Sequence, residues 1–340
     1  MSAEPHGRAG QGASPPRVPA PSSPPSASTA VSPAAVATAG TPPVIEVRDL
    51  VKRYDDLVAV DGVSFDVAPG EFFGILGPNG AGKTTTLEMV EGLREPDSGT
   101  VSVLGQSPWP RNAALLPRMG VQLQASAFFE KLSAREQLET FGALYGVEGA
   151  RIDEMLELVG LADKASTRED KLSGGQRQRL SIACALVHDP ELVFFDEPTA
   201  ALDPQARRNL WDVLREIQSR GTTVVYTTHY LDEAEVLCDR VAIMDAGRIL
   251  AMDTPAALVR GLHADTRVAL PHGVLTEQEA RDLPGADGVQ VTDTDLVLTT
   301  RSPSVLVQAL AERDRLDGVS VRTATLEDVF LQLTGREYRA

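Results

Sequence analysis

The segment Gly77-Pro78-Asn79-Gly80-Ala81-Gly82-Lys83-Thr84-Thr85 sets glycines, one lysine and two hydroxyls at the spacing of a phosphate-binding loop: Gly, four residues, then Gly-Lys-Thr. Such a loop turns backbone N–H groups onto phosphate oxygens, and the helix behind it adds the partial positive charge of its N-terminus. In that arrangement Lys83 reaches the β- and γ-phosphates and the Thr84 hydroxyl ligates Mg²⁺. A glycine-rich turn with an incidental lysine is the bland alternative. The flanks argue against it: Phe72–Leu76 reads as a buried strand entering the loop, and Thr85–Val90 as the start of a helix.

Further downstream, Leu192-Val193-Phe194-Phe195 runs into Asp196-Glu197. An apolar strand delivering two carboxylates at its C-terminal tip is where open α/β sheets place ligands. Asp196 can hold Mg²⁺, and Glu197 can orient and deprotonate a water. The β-branched run Thr222–Thr228 ends at His229, a third polar group at a strand tip. A lone histidine is usually structural, but this one falls beside the predicted phosphates. Leu172-Ser173-Gly174-Gly175-Gln176 precedes a helix expected from about 177 to 187. Ser173 can cap it and the glycines leave N–H groups exposed, a second anion-binding geometry in one chain.

The positioning elements follow from periodicity. Val44–Leu50 and Val60–Val67 alternate as half-buried strands, with Tyr54 between them, an aromatic that could stack on an adenine. Pro96–Gly99 turns into a strand at 100–104, and 120–124 reads as another strand. Residues 132–163 are amphipathic and helical, with Leu138, Phe141, Leu144 and Tyr145 three to four apart. Asp203-Pro204 is an N-cap and first helical position, and Leu210, Val213, Leu214 and Ile217 form that helix's apolar face. Val241–Met244 and Arg248–Ala251 make a hairpin. From 263 to 340 the pattern is strand (266–270), helix (276–283), strands (288–292, 295–299), helix (304–314), strand (318–323) and a helix from Leu326, a small α+β module without a catalytic constellation.

The chain has 340 residues, room for about two domains, and a formal charge of -16, which disfavours a broad nucleic-acid surface. Two cysteines, Cys184 and Cys238, offer neither metal spacing nor a disulfide framework. Cys184 shares a helical face with Leu180, Ala183 and Val187, which suits core packing. No apolar run approaches the ~20 residues that cross a bilayer, so a membrane role needs a partner that supplies the spans. Residues 1–43 carry ten prolines and few large apolar residues, a composition expected to stay disordered.

Over residues 44–262 the chain resembles the ATP-binding subunit of an ABC transporter. The Leu-Ser-Gly-Gly-Gln pentapeptide between a phosphate loop and a strand ending in Asp-Glu carries the likeness. The resemblance implies a P-loop NTPase ABC ATPase domain, α/β with antiparallel β and helical subdomains, followed by a small α+β C-terminal domain at 263–340. It implies an ATPase with ATP and Mg²⁺, in which Gly77–Thr85 and Tyr54 hold the nucleotide. Glu197 is then the general base, His229 the switch histidine, Gln124 the Q-loop glutamine near water and metal, and Thr84 and Asp196 the other metal contacts. Asp203 is the D-loop aspartate. Ser173, Gly174, Gly175 and Gln176 serve the ATP of a second, facing ATP-binding subunit, for which a homodimer suffices. The segment Thr325–Glu337, with Gly120–Gln124, is similar to ABC-2-type export ATPases of the daunorubicin-resistance and multidrug-export group. That implies a separate integral-membrane permease, a peripheral place on the cytoplasmic face of the membrane, a drug-like or other amphipathic substrate, and no nucleic-acid partner. Ala200-Ala201 departs from the family's common Gly or Ser before Leu202-Asp203. A soluble ABC ATPase not coupled to transport is the alternative; such proteins usually carry two cassettes or long coiled-coil insertions, which this chain lacks.

Overall fold

The computed structural model describes residues 41–122, 128–200, 202–262 and 266–335. Most of the Pro-, Ala- and Ser-rich extension, Gln124, Ala201 and the tail from 336 therefore lie outside the described residues.

A six-stranded sheet organises the chain. Its strands are β3 (Phe72–Leu76), β5 (Met119–Gln122), β6 (Leu192–Asp196), β7 (Thr223–Thr228), β8 (Arg240–Asp245) and β9 (Arg248–Asp253), in the order β5-β6-β7-β3-β8-β9. All neighbours are parallel except the β8–β9 hairpin. Period-2 alternation divides each central strand between two apolar layers. Phe72, Leu76, Val193, Phe195, Val224 and Tyr226 enter one cluster. Phe73, Ile75, Leu192, Phe194 and Val225 enter the other.

The second layer is closed by an antiparallel sheet of β1 (Ile45–Tyr54), β2 (Leu57–Val67) and β4 (Ser98–Val103), in the order β2-β1-β4. Tyr54 is the last residue of β1 rather than part of a longer loop, because pairing with β2 continues to Tyr54↔Leu57 and leaves only Asp55-Asp56 to turn. The first layer is closed by helices: α2 (Ala134–Ala143), α3 (Ala150–Leu158), α4 (Gly174–Leu186) and α5 (Pro204–Ser219). α1 (Lys83–Val90) follows the phosphate loop. Two short helices, α6 (Leu231–Leu237) and α7 (Pro255–Gly261), were not anticipated from the sequence. Both thiols fit apolar surroundings: Cys238 is buried with its pKa raised, and burial pushes Cys184 up to about 12.

The C-terminal region follows its expected order: β10 (Thr266–Pro271), α8 (Glu277–Arg281), β11 (Gly288–Val291), β12 (Asp295–Thr300), α9 (Pro303–Ala311), β13 (Ser320–Arg322) and α10 (Leu326–Thr334). Its strands form an antiparallel sheet, β11-β12-β10-β13, over a core of its own that includes Val268, Leu298 and Leu306. α10 does not join that core. Leu326, Val329 and Phe330 pack into the helical layer of the main sheet, and the Leu326 N–H donates to Glu235 of α6 at 3.0 Å.

Candidate functional site

The phosphate loop leaves β3 at the C-terminal edge of the main sheet, where Leu76 pairs with Thr228 and Asp196 with Thr227. Parallel register thus brings three separate sequence segments to one edge. Two loop glycines are required by close approach. A Cβ on Gly77 would stand 2.2 Å from the Met244 carbonyl oxygen, and one on Gly82 would stand 2.4 Å from that of Ala59. Gly82 is also left-handed, with φ 100°. It opens α1 without a side-chain cap, so the first-turn N–H groups have no side-chain acceptor, the arrangement that receives a phosphate. Lys83 is folded back into the loop. Its Nζ donates to the Gly77 carbonyl at 2.8 Å and to that of Pro78 at 3.2 Å.

The two acids at the tip of β6 have different surroundings. Asp196 is buried and accepts hydrogen bonds from Thr84 Oγ1, at 3.0 and 3.3 Å to its two oxygens, and from Thr227 Oγ1. Burial raises its pKa; the two threonine hydrogen bonds and the charge of Lys83 oppose that rise, and Glu197 adds to it. Glu197 sits at φ 46°, a left-handed conformation that costs a non-glycine residue about 1–2 kcal/mol. Its N–H donates to both the carbonyl (3.2 Å) and the hydroxyl (2.9 Å) of Thr227, which hold it there. The Glu197 carboxylate is bracketed: Oε1 lies 2.9 Å from Lys83 Nζ and Oε2 lies 2.9 Å from His229 Nδ1. Since a carboxylate only accepts, Nδ1 carries the hydrogen in that contact.

Thr84 and Asp196 present hard oxygen donors side by side, the donor type Mg²⁺ prefers. Among the described residues no group of three or more His, Cys, Asp or Glu could hold a metal ion by itself, so the remaining ligands would come from phosphate and water. The expected third contact, Gln124, lies outside the described residues.

A cavity of about 410 Å³ is lined by Asn79–Thr85, Glu197 and Tyr54. Tyr54 stands at its wall, its ring 5.4 Å from the Arg94 guanidinium. The expectation from sequence missed Leu57, Val58, Ala59, Ala246 and Gly247, which complete the lining. The signal for Gly247 was available: Asp245-Ala246-Gly247 is the hairpin turn, and its Gly247 N–H donates to the Ala81 carbonyl at 2.9 Å. Thr227, which holds both acids, was missed as well.

The signature residues do not line this cavity. Ser173 caps α4 in a reciprocal box: Ser173 Oγ accepts from the Gln176 N–H at 3.2 Å, and Gln176 Oε1 accepts from the Ser173 N–H at 2.9 Å. The helix therefore begins at Gly174, three residues earlier than expected, and both glycines fall in its first turn. The Gln176 carboxamide is engaged in the cap, and nothing stands within 4 Å of a Cβ built on Gly174. Asp203 caps α5 as expected, accepting from the N–H groups of Gln205 (3.0 Å) and Ala206 (2.9 Å).

Residues 60–200 match the ABC transporter family model. The Nod factor export ATP-binding protein I of Burkholderia pseudomallei is 40% identical over 299 residues, covering 86% of this chain and 97% of that protein. The linearmycin resistance ATP-binding protein LnrL of Bacillus subtilis is 36% identical over 310 residues, covering 87% and 100%. Among solved structures, an ATP-binding subunit of an ABC transporter is 30% identical with a TM-score of 0.58, covering 64% of this chain and 92% of its own. The cbiO1 protein of Clostridium perfringens, part of the ABC transporter complex cbiONQ, is 28% identical with a TM-score of 0.58, covering 65% and 94%.

Proposed function

The chain belongs to the ABC transporter ATP-binding family, to the ABC-2-type exporter ATPases within it, and from that premise we propose how its own residues bind and hydrolyse ATP. The observation that carries the reading is the continuous contact Lys83–Glu197–His229 beside the Thr84–Asp196 pair. The triphosphate enters the first turn of α1, and Lys83 exchanges Glu197 for phosphate oxygens. Glu197, released from the lysine but still bonded to His229, takes a proton from the water that attacks the γ-phosphorus in line. His229 keeps the carboxylate aimed at that water. Mg²⁺ held by Thr84 and Asp196 would offset charge on the phosphates. Tyr54 packs against the adenine ring.

The ATP-binding domain spans 44–262 and the accessory domain 263–340 in this reading, with α10 of the second packed into the core of the first. The exposed N–H groups of Gly174 and Gly175, away from the chain's own cavity, serve the nucleotide of a second copy facing head to tail, with Asp203 at the same junction. The permease is a separate chain: among the described residues no helix is long and apolar enough to cross a membrane. A groove of about 370 Å³, with Met119, Val121, Phe128, Phe141 and Tyr145 in its lining, suits a docking segment of that permease on the cytoplasmic face. Relatives named for Nod factor export and linearmycin resistance support a drug-like or amphipathic cargo, selected by the membrane subunit.

Isolation of the tagged chain from detergent-solubilised membranes tests this. It should carry a stoichiometric integral-membrane protein and hydrolyse ATP, and Lys83→Ala should keep the partner and lose turnover. Recovery only from the soluble fraction, or unchanged turnover in Lys83→Ala, would refute it.

A further inference from the structure

One buried carboxylate ties together the residues on either side of His229. Glu233, in the first turn of α6, is completely buried. Its Oε2 accepts from Thr228 Oγ1 at 2.6 Å and from the Tyr226 hydroxyl at 2.7 Å. Thr228 Oγ1 in turn accepts from the Tyr230 N–H at 2.9 Å. The residues before and after His229 are thus anchored to the same acid. Tyr230 meets the His229 ring at 4.1 Å between centroids.

The second half of the arrangement comes from α5. Arg207 lies one turn beyond the cap residue Asp203, and its N–H donates to the Asp203 carbonyl at 2.9 Å. Its guanidinium covers the Tyr230 ring at 3.8 Å, a cation–π contact between half-buried side chains. Its Nε faces Glu233 Oε1 at 3.6 Å. Both atoms are buried, and neither has a hydrogen bond. Buried polar atoms without hydrogen bonds are uncommon and destabilising, although these two still pair as opposite charges. Here the two stand opposite each other, a few tenths of an ångström beyond hydrogen-bond range. A shift of a few tenths of an ångström would satisfy both.

We propose that Arg207 and Glu233 are positioning residues for His229, linking the helix that Asp203 opens to the histidine that holds the Glu197 carboxylate. Arg207 acts through the Tyr230 ring and Glu233 through Thr228, and neither touches the nucleotide. Misplacement of a bonded group by about 1 Å is enough to lower a rate ~100-fold, so loss of either residue reads out in turnover rather than in ATP affinity. The inference rests on the proposed role of His229.

The test uses the full chain with isotopically labelled histidine. Arg207→Ala and Glu233→Gln are compared with wild type for ATP turnover and for the imidazole resonances. The His229 signal is identified by its loss in His229→Ala. The expected result is a kcat at least threefold lower, a KM for ATP within twofold, and displacement of the His229 signal with those of His188 and His272 unmoved. Arg207→Lys, which keeps the charge and loses the plane, gives the same pattern and serves where either variant melts below the assay temperature. Where His229→Ala lowers turnover, an unchanged kcat, or a lowered kcat with an unmoved His229 signal, overturns the inference. Full turnover in His229→Ala, with its signal still displaced in Arg207→Ala, would instead overturn the role of the histidine and leave the positioning intact.

Discussion

Lys83 and Glu197 form a buried ion pair, Nζ to Oε1 2.9 Å, between side chains only 4% and 10% exposed. The lysine expected on the phosphates and the acid expected on the water stand as each other's counter-charge. In the mechanism proposed above, the triphosphate separates them.

Glu197→Gln removes the competitor for Lys83 together with the base. Turnover should fall at least ~100-fold, the scale of a lost general base, while ATP affinity is retained or improves. Single-turnover hydrolysis with a fluorescent-nucleotide titration measures both. Turnover near wild type would remove Glu197 from the mechanism.

Ser173→Arg breaks the reciprocal cap of α4, which costs about 1 kcal/mol, and fills the approach to Gly174 and Gly175. In mixed dimers carrying one such subunit, the loss should fall on the ATP held by the unmodified partner's loop. Pairing Ser173→Arg with Lys83→Ala on the same or on opposite subunits separates the cases. Loss confined to the substituted subunit's own loop contradicts the head-to-tail arrangement.

Glu91 ends α1 with its carboxyl buried, and burial, reinforced by the charges of Asp196 and Glu88, raises its pKa from 4.5 to about 8. An acid with a higher pKa in the folded state binds more protons folded than unfolded. Its contribution to stability is therefore full below pH 4.5, declines through the interval up to about 8, and is absent above. Glu91→Gln should abolish that slope. Thermal melts should show the variant gaining on wild type at pH 9 and not at pH 4.5, by an amount on the order of a few kcal/mol. Parallel pH profiles for the two proteins would show that the carboxyl titrates normally.

Phe330→Ala in α10 should destabilise the ATPase lobe, not the C-terminal sheet, because Phe330 packs with the main helical layer. A cost of about 3–5 kcal/mol is expected for a fully buried phenylalanine. Amide exchange would show lost protection in α6 and α7, with β10 and β12 unaffected; the reverse pattern would misplace the helix.

Much of the site was legible because its determinants are local. The glycine spacing, the apolar run Phe72–Leu76 and the caps Ser173 and Asp203 each depend on a few adjacent residues, and all were found where expected. What stayed hidden depends on register. Thr227 reads as an ordinary β-branched strand residue until parallel pairing sets it opposite Asp196, 31 positions away. Glu233 and Arg207 sit on different helices and reveal nothing singly. α6 is only seven residues long, too short for its periodicity to stand out. The sequence order of the C-terminal strands and helices was readable, but not that α10 leaves its own sheet to pack elsewhere.

That final helix has a temporal meaning. Ribosomes deliver a chain from its N-terminus, and a lobe normally folds as a unit once its residues have emerged. Here the apolar seat beside α6 and α7 is filled by Leu326, Val329 and Phe330, which are synthesised after every nucleotide-site motif and after a whole intervening sheet. The nucleotide-handling lobe is whole only after α10 has emerged, so a chain stopped before it carries every motif of the enzyme without the completed core.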